Sequence, residues 1–102
     1  MGKKVYICCP HETDEQIEKR EYRIAELAER ISEMGMTPVW CAPDAKFGQR
    51  LSSVVRCDAI LLDMQWKTCM LCVDEYNVAA NHKKAIYHTR EEYDWIYDRF
   101  VI

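Results

Sequence analysis

At 102 residues and 12.1 kDa, the chain has room for one domain spanning 1–102, and burying roughly 65% of its unfolded surface gives that domain a core without staples. An apolar fraction of 49% and a charged fraction of 30% exclude intrinsic disorder. A net charge of −3 leaves no basic surface for general nucleic-acid binding.

The first element is a buried strand over Lys3 to Cys9, where the β-branched and aromatic run Val5-Tyr6-Ile7-Cys8-Cys9 stops at Pro10. Thr13 with Gln16 three residues later forms a capping box, and Asp14 and Glu15 place negative charge in the first turn of the helix that follows. Ile17, Ile24, Leu27, Ala28, Ile31 and Met34 recur at helical spacing, and Gly35 supplies the stop. Met36 to Cys41 predicts a second strand, Gly48 to Arg56 a short helix, and Asp58 to Asp63 a third strand with an apolar centre. A helix over Cys69 to Asn81, a strand over Ala85 to His88, and a last helix opened by Thr89 and Glu92 complete the alternation. Continuously apolar strands alternating with helices predict an α/β fold, a three-layer Rossmann or flavodoxin-like domain with a parallel sheet of about four strands.

Six cysteines stand beside only three glycines and three prolines. The core pattern is sufficient without disulfides, and Met1-Gly2-Lys3-Lys4 leads straight into the first strand, so the thiols are expected to be reduced in a cytoplasmic protein. The longest uncharged run, Met34 to Pro43, is about half of a membrane span, and no membrane partner is expected.

Open α/β sheets bind ligands beyond the carboxyl ends of their strands, where the strand order reverses. The rule selects Cys8, Cys9, Pro10 and His11 after the first strand, Cys41, Pro43 and Asp44 after the second, and Asp63, Gln65, Trp66, Cys69 and Cys72 after the third. Glu75 lies at the edge of the same region. Neither GxGxxG nor a Walker pattern occurs, which excludes those phosphate-binding devices. A carboxylate beside an aromatic-lined crevice suits glycosyl chemistry: an ionised Glu attacks the anomeric carbon as the ring gains oxocarbenium character. The alternative for Glu75 is a solvated helix residue, and for Tyr6 a core aromatic.

The order and spacing of these residues resemble the nucleoside 2-deoxyribosyltransferase-like group, in particular its short bacterial and phage branch. The resemblance rests on Lys4-Val5-Tyr6-Ile7-Cys8-Cys9-Pro10, on Cys57-Asp58-Ala59-Ile60-Leu61-Leu62, and on the succession Trp66, Glu75-Tyr76, Ala79 and Lys84-Ala85-Ile86-Tyr87. It implies Glu75 as nucleophile, Tyr6 as the group that orients it, and Cys9, Pro10, His11, Arg50, Asp63, Trp66 and Cys69 as ligand-binding residues. The implied activity is cleavage of a nucleoside or nucleotide N-glycosidic bond, or 2-deoxyribosyl transfer, in a homo-oligomer whose neighbouring subunit completes the pocket. Its helix contact would carry Tyr93, Trp95 and Tyr97.

Several positions depart from that pattern. Arg50 stands where relatives place an aspartate that assists the leaving base, and a guanidinium is no general acid near neutral pH. Cys69 replaces an Asp or Ser, and Met70-Leu71-Cys72 replaces a Gly-rich stretch, with Leu71 filling volume a sugar would need. Asp44 or Asp63 is the remaining acid, and Arg50 also suits a phosphate, shifting the ligand toward a nucleoside monophosphate. These departures favour a second reading, a catalytically silent nucleotide-binding or regulatory module. Cys69 and Cys72 form a single CxxC that admits metal or redox chemistry. Without a second CxxC or HxxxH, packing is the expected role, and neither metal nor cofactor is assigned. Cys57 reads as structural.

Overall fold

The computed structural model describes residues 2–91 and 102. Among the described residues, four strands alternate with three helices: β1 (Lys4–Cys8), α1 (Asp14–Glu33), β2 (Thr37–Val39), α2 (Phe47–Val55), β3 (Ala59–Leu62), α3 (Met70–Asn81) and β4 (Ala85–His88), with a 3-10 turn at Trp66–Thr68 before α3. The strands form one sheet in the order β2-β1-β3-β4, and every pairing is parallel. This is the expected three-layer, flavodoxin-like architecture.

The layers follow from the two-residue period of the strands. Val5 and Ile7 of β1, with Ala59 and Leu61 of β3, meet Ile24, Leu27 and Ile31 of α1. Tyr6 and Cys8, with Ile60 and Leu62, face the other way and pack with Val54 of α2 and Cys72 and Ala79 of α3. Both faces of β1 and β3 are therefore covered, which is why these strands read as unbroken apolar runs.

Helix α1 begins with the predicted box: Thr13 Oγ1 accepts from the Gln16 N–H at 3.1 Å, and Gln16 Oε1 accepts from the Thr13 N–H at 3.1 Å. It ends at Gly35, whose φ of 79° lets the Gly35 N–H reach the Ser32 carbonyl and the Met36 N–H reach the Ile31 carbonyl. Its inner stripe differs from the expected one. Ile17 and Met34 are exposed, and Arg20 takes the buried position one turn before Ile24. The stripe runs past the end of the sheet core, so its first inner position meets polar backbone: Arg20 Nη2 donates to the Cys41 carbonyl at 2.9 Å. Strand β2 is shorter than predicted because it lies at the sheet edge and Pro38 within it has no N–H to donate. The expected C-terminal helix with Tyr93, Trp95 and Tyr97 lies outside the described residues. Among the described residues, no helix is long and apolar enough to cross a membrane.

Beyond the end of β4, Glu91 joins two arginines of α1, meeting Arg30 Nη2 at 2.5 Å and Arg23 Nη2 at 3.1 Å. Hydrogen bonds from Arg30, then Arg23, hold the Glu91 carboxyl down at about 2. Since an unfolded glutamate titrates at about 4.5, the stabilisation from this pair is full above that value and is lost as pH falls toward 2. Glu91→Gln is expected to flatten the acid limb of the melting temperature between these values and leave the neutral region less affected. An unchanged acid limb would refute the contribution.

Candidate functional site

The carboxyl ends of β1 and β3 are adjacent, with α1 departing from one and α3 following the other, so the sheet's switch point lies between them. The side chains there divide between the two faces of the sheet. Cys8 belongs to the α3 side and Cys9 to the α1 side, and the expected single site becomes two.

On the α1 side lies a crevice of about 550 Å³, walled by Cys9 and Pro10, by the first three turns of α1, and by the segment Asp63 to Thr68. Gln65 holds the second wall in a turn with a left-handed backbone, φ 65°. Of the expected ligand-binding residues, Cys9, Pro10 and Asp63 line this crevice. Asp63 is already engaged: Arg23 donates to it from Nε at 2.9 Å and Nη2 at 2.7 Å, while Thr89 Oγ1 and the Met64 N–H also bond to it. A carboxylate held in that fork, with its side chain 3% exposed, is a structural anchor and not a free acid. Asp63 also pushes the Cys9 thiol up, second to burial itself, to about 12.

The other charges of the crevice are Lys19 and Glu15, paired with each other at 2.9 Å, and Arg20. The Arg20 guanidinium is 5% exposed, its Nε has no hydrogen-bond partner, and among the described residues no carboxylate lies within ion-pair reach. Thr13, Gln16, Gln65 and Thr68 supply hydroxyls and amides around it. Sequence reasoning missed Arg20, although its spacing before Ile24, Leu27 and Ile31 put a charged side chain in register with the apolar stripe.

On the α3 side, Tyr6, Arg50 and Glu75 converge. The Tyr6 hydroxyl donates to Glu75 Oε2, Arg50 Nη1 stands 3.5 Å from the same oxygen, and Cys8 Sγ lies 3.5 Å from Oε1. Burial raises the Glu75 carboxyl, opposed by the Tyr6 hydrogen bond, Arg50 and Cys8. Burial, reinforced by Glu75, raises the Tyr6 hydroxyl. Glu75 is 2% and Tyr6 1% exposed. Arg50, 1% exposed, is turned inward: Nη2 donates to the carbonyls of Ala42 at 2.8 Å and Pro43 at 2.6 Å, and Nε to Ala45. With its donors committed to the fold, it offers no fork to a phosphate. Leu71 packs against this core, and the Trp66 ring lies 4.8 Å from that of Tyr76, tilted by 41°.

Beside this network, Cys69 caps α3 with its backbone and lies 3.9 Å from His11 Nδ1. Hydrogen bonds from the Cys72 thiol, followed by His11, draw the Cys69 thiol down to about 3. His11 Nδ1 is 3.3 Å from the Cys9 carbonyl, and its Nε2 has no partner. Thus His11, Arg50, Trp66, Cys69, Tyr6 and Glu75 lie outside the crevice lining, and Cys9, Pro10 and Asp63 within it.

No family model matches the chain, and no curated protein matches it. Among solved structures, the chain is similar to the TIR domain of the Toll-related receptor TRR-2 from the lower metazoan Hydra magnipapillata. The TM-score is 0.61 at 14% identity, over 93% of this chain and 78% of that domain. This corrects the family drawn from the motif succession: the likeness found is to a TIR domain, not to a nucleoside 2-deoxyribosyltransferase. The motifs misled because an apolar strand ending in Pro and a Cys-Asp-Ala-Ile-Leu-Leu strand are what any buried parallel sheet demands. What the likeness establishes is the fold.

Removing the Tyr6 hydroxyl leaves a buried carboxylate short of a donor. Tyr6→Phe is expected to lower unfolding stability in urea by about 1–3 kcal/mol, whereas Arg50→Met, which strips Glu75 and three carbonyls together, should cost about 3–5 kcal/mol. Equal, near-zero effects would show that the network does not hold the fold.

Proposed function

We propose that the protein is a non-catalytic nucleotide-binding module that takes an anionic ligand, a nucleoside monophosphate, in the crevice at the switch point. The observation that carries this reading is Arg20, a buried guanidinium lining the crevice without a carboxylate partner among the described residues. A phosphate in the crevice would supply the missing charge. The volume of about 550 Å³ is in the range of small-molecule sites. Pro10 and Met64 offer apolar contact for a base, and Gln16, Gln65 and Thr68 offer polar contacts for a sugar.

Glu75 speaks against catalysis within this reading. A nucleophile needs one oxygen with an open approach to the anomeric carbon. Both oxygens of Glu75 have partners on the α3 side, and Glu75 does not line the crevice.

Calorimetric titration with nucleosides and their 5′-monophosphates, with chromatography of the products, tests the reading. Monophosphates are expected to bind more tightly than the parent nucleosides, without release of free base. Arg20→Met should weaken them roughly 10- to 100-fold, and Glu75→Gln should leave affinity unchanged. Release of base that Glu75→Gln abolishes would replace this reading with an N-glycosidase. Absence of any monophosphate binding would end it.

A further inference from the structure

His11 and the CxxC pair do no work in the crevice, and packing alone does not account for them. Cys69 and Cys72 are 0% exposed and His11 is 8% exposed. A core position that needed only a small apolar group would not hold an imidazole whose Nε2 lacks a partner. One nitrogen of His11 and the sulfurs of Cys69 and Cys72 lie within 4.8 Å of one another. On the facing strand, Cys8 Sγ lies within 4.8 Å of the Cys72 sulfur.

We propose that His11, Cys69 and Cys72, with Cys8 as the fourth ligand, form a structural zinc site that ties the β1–α1 loop to the start of α3. Three sulfurs and one nitrogen are a tetrahedral donor set for Zn²⁺, in which ligand atoms sit about 3.5–3.8 Å apart. For His11, Cys69 and Cys72, reaching that spacing from separations within 4.8 Å draws the atoms together by little more than about 1 Å, and Cys8, which lies within 4.8 Å of Cys72, swings in as the fourth ligand when the ion binds. The three thiols give up their protons to solvent as the ion binds, and the imidazole contributes a neutral lone pair. The nitrogen that faces the thiols is Nδ1, 3.9 Å from the Cys69 sulfur, and on binding it exchanges its contact with the Cys9 carbonyl for the ion.

Two competing chemistries fit less well. A redox CxxC must present a sulfur to an oxidant or a partner thiol, and both cysteines are wholly covered. A catalytic zinc keeps a position open to substrate, whereas all four side chains here are buried. Glu75 is the less suitable fourth ligand because its Oε2 is held by Tyr6 and Arg50. The chelate would brace one wall of the crevice, since His11 follows Pro10 and Cys69 follows Thr68, both crevice residues. The site is independent of the ligand-binding reading and stands or falls separately.

Full-length protein purified under reducing conditions, equilibrated with equimolar zinc and desalted, is analysed for metal. About one zinc per chain is expected, with a higher melting temperature than after chelation. Cobalt(II) in place of zinc should give thiolate-to-metal charge-transfer absorption and the intense visible bands of a tetrahedral site. His11→Ala, which leaves the sulfur cluster and the sheet intact, should weaken cobalt affinity at least about tenfold at unchanged far-UV circular dichroism. Cys69→Ser should remove part of the charge-transfer intensity. Zinc below about 0.1 per chain, octahedral cobalt spectra, or affinity indifferent to His11→Ala would each overturn the proposal.

Discussion

The α3 side of the molecule is organised by one buried carboxylate. Glu75 from α3 is met by the Tyr6 hydroxyl from β1 and the Arg50 guanidinium from α2, so a single group ties three elements together. Arg50 extends the tie to the loop before α2 through the carbonyls of Ala42, Pro43 and Ala45. That loop contains no regular structure, and the buried guanidinium fixes its path by taking three of its carbonyls. Removing one member leaves the others buried and unsatisfied, which is why such networks are costly to break.

The same commitment separates structure from ligand binding. With the Glu75 and Arg50 polar groups spent on the fold, the α3 side offers little to a substrate. On the α1 side the pairs Arg23–Asp63 and Lys19–Glu15 neutralise each other. Arg20 remains, buried and without a carboxylate partner among the described residues. The crevice's character therefore depends less on how many charges line it than on which one lacks an opposite.

Much of the fold was legible in the residues. The Thr13–Gln16 box, the Gly35 stop and the apolar runs of β1 and β3 were readable because each is a local device, and β4 appears at its expected Ala85–His88. The site was less so. Of the residues the switch-point rule selects, Cys9, Pro10, Asp63 and Gln65 line the crevice, whereas Cys8, His11, Cys41, Trp66, Cys69 and Cys72 do not. Tyr6 and Glu75 were paired from a family resemblance that the comparisons overturn, although their side chains do hydrogen-bond. Arg50 looked like a rim residue because nothing local reveals that a guanidinium will turn inward to three carbonyls. Arg20 was assigned to no site because a lone arginine in an apolar stripe carries no mark of its missing partner.

By itself, the sequence determined the alternation of strands and helices, the helix ends and the parallel character of the sheet, since these depend on periodicity and on neighbours a few residues apart. Only the tertiary structure decided which face of the sheet each functional side chain occupies. Adjacent strand residues point to opposite sides, so Cys8 joins Glu75 and Cys72 while Cys9 joins the crevice. The six cysteines, conspicuous in so short a chain, are all buried free thiols. Which of them become neighbours depends on contacts between residues some sixty positions apart, such as Cys8 with Cys72, and no local pattern encodes those.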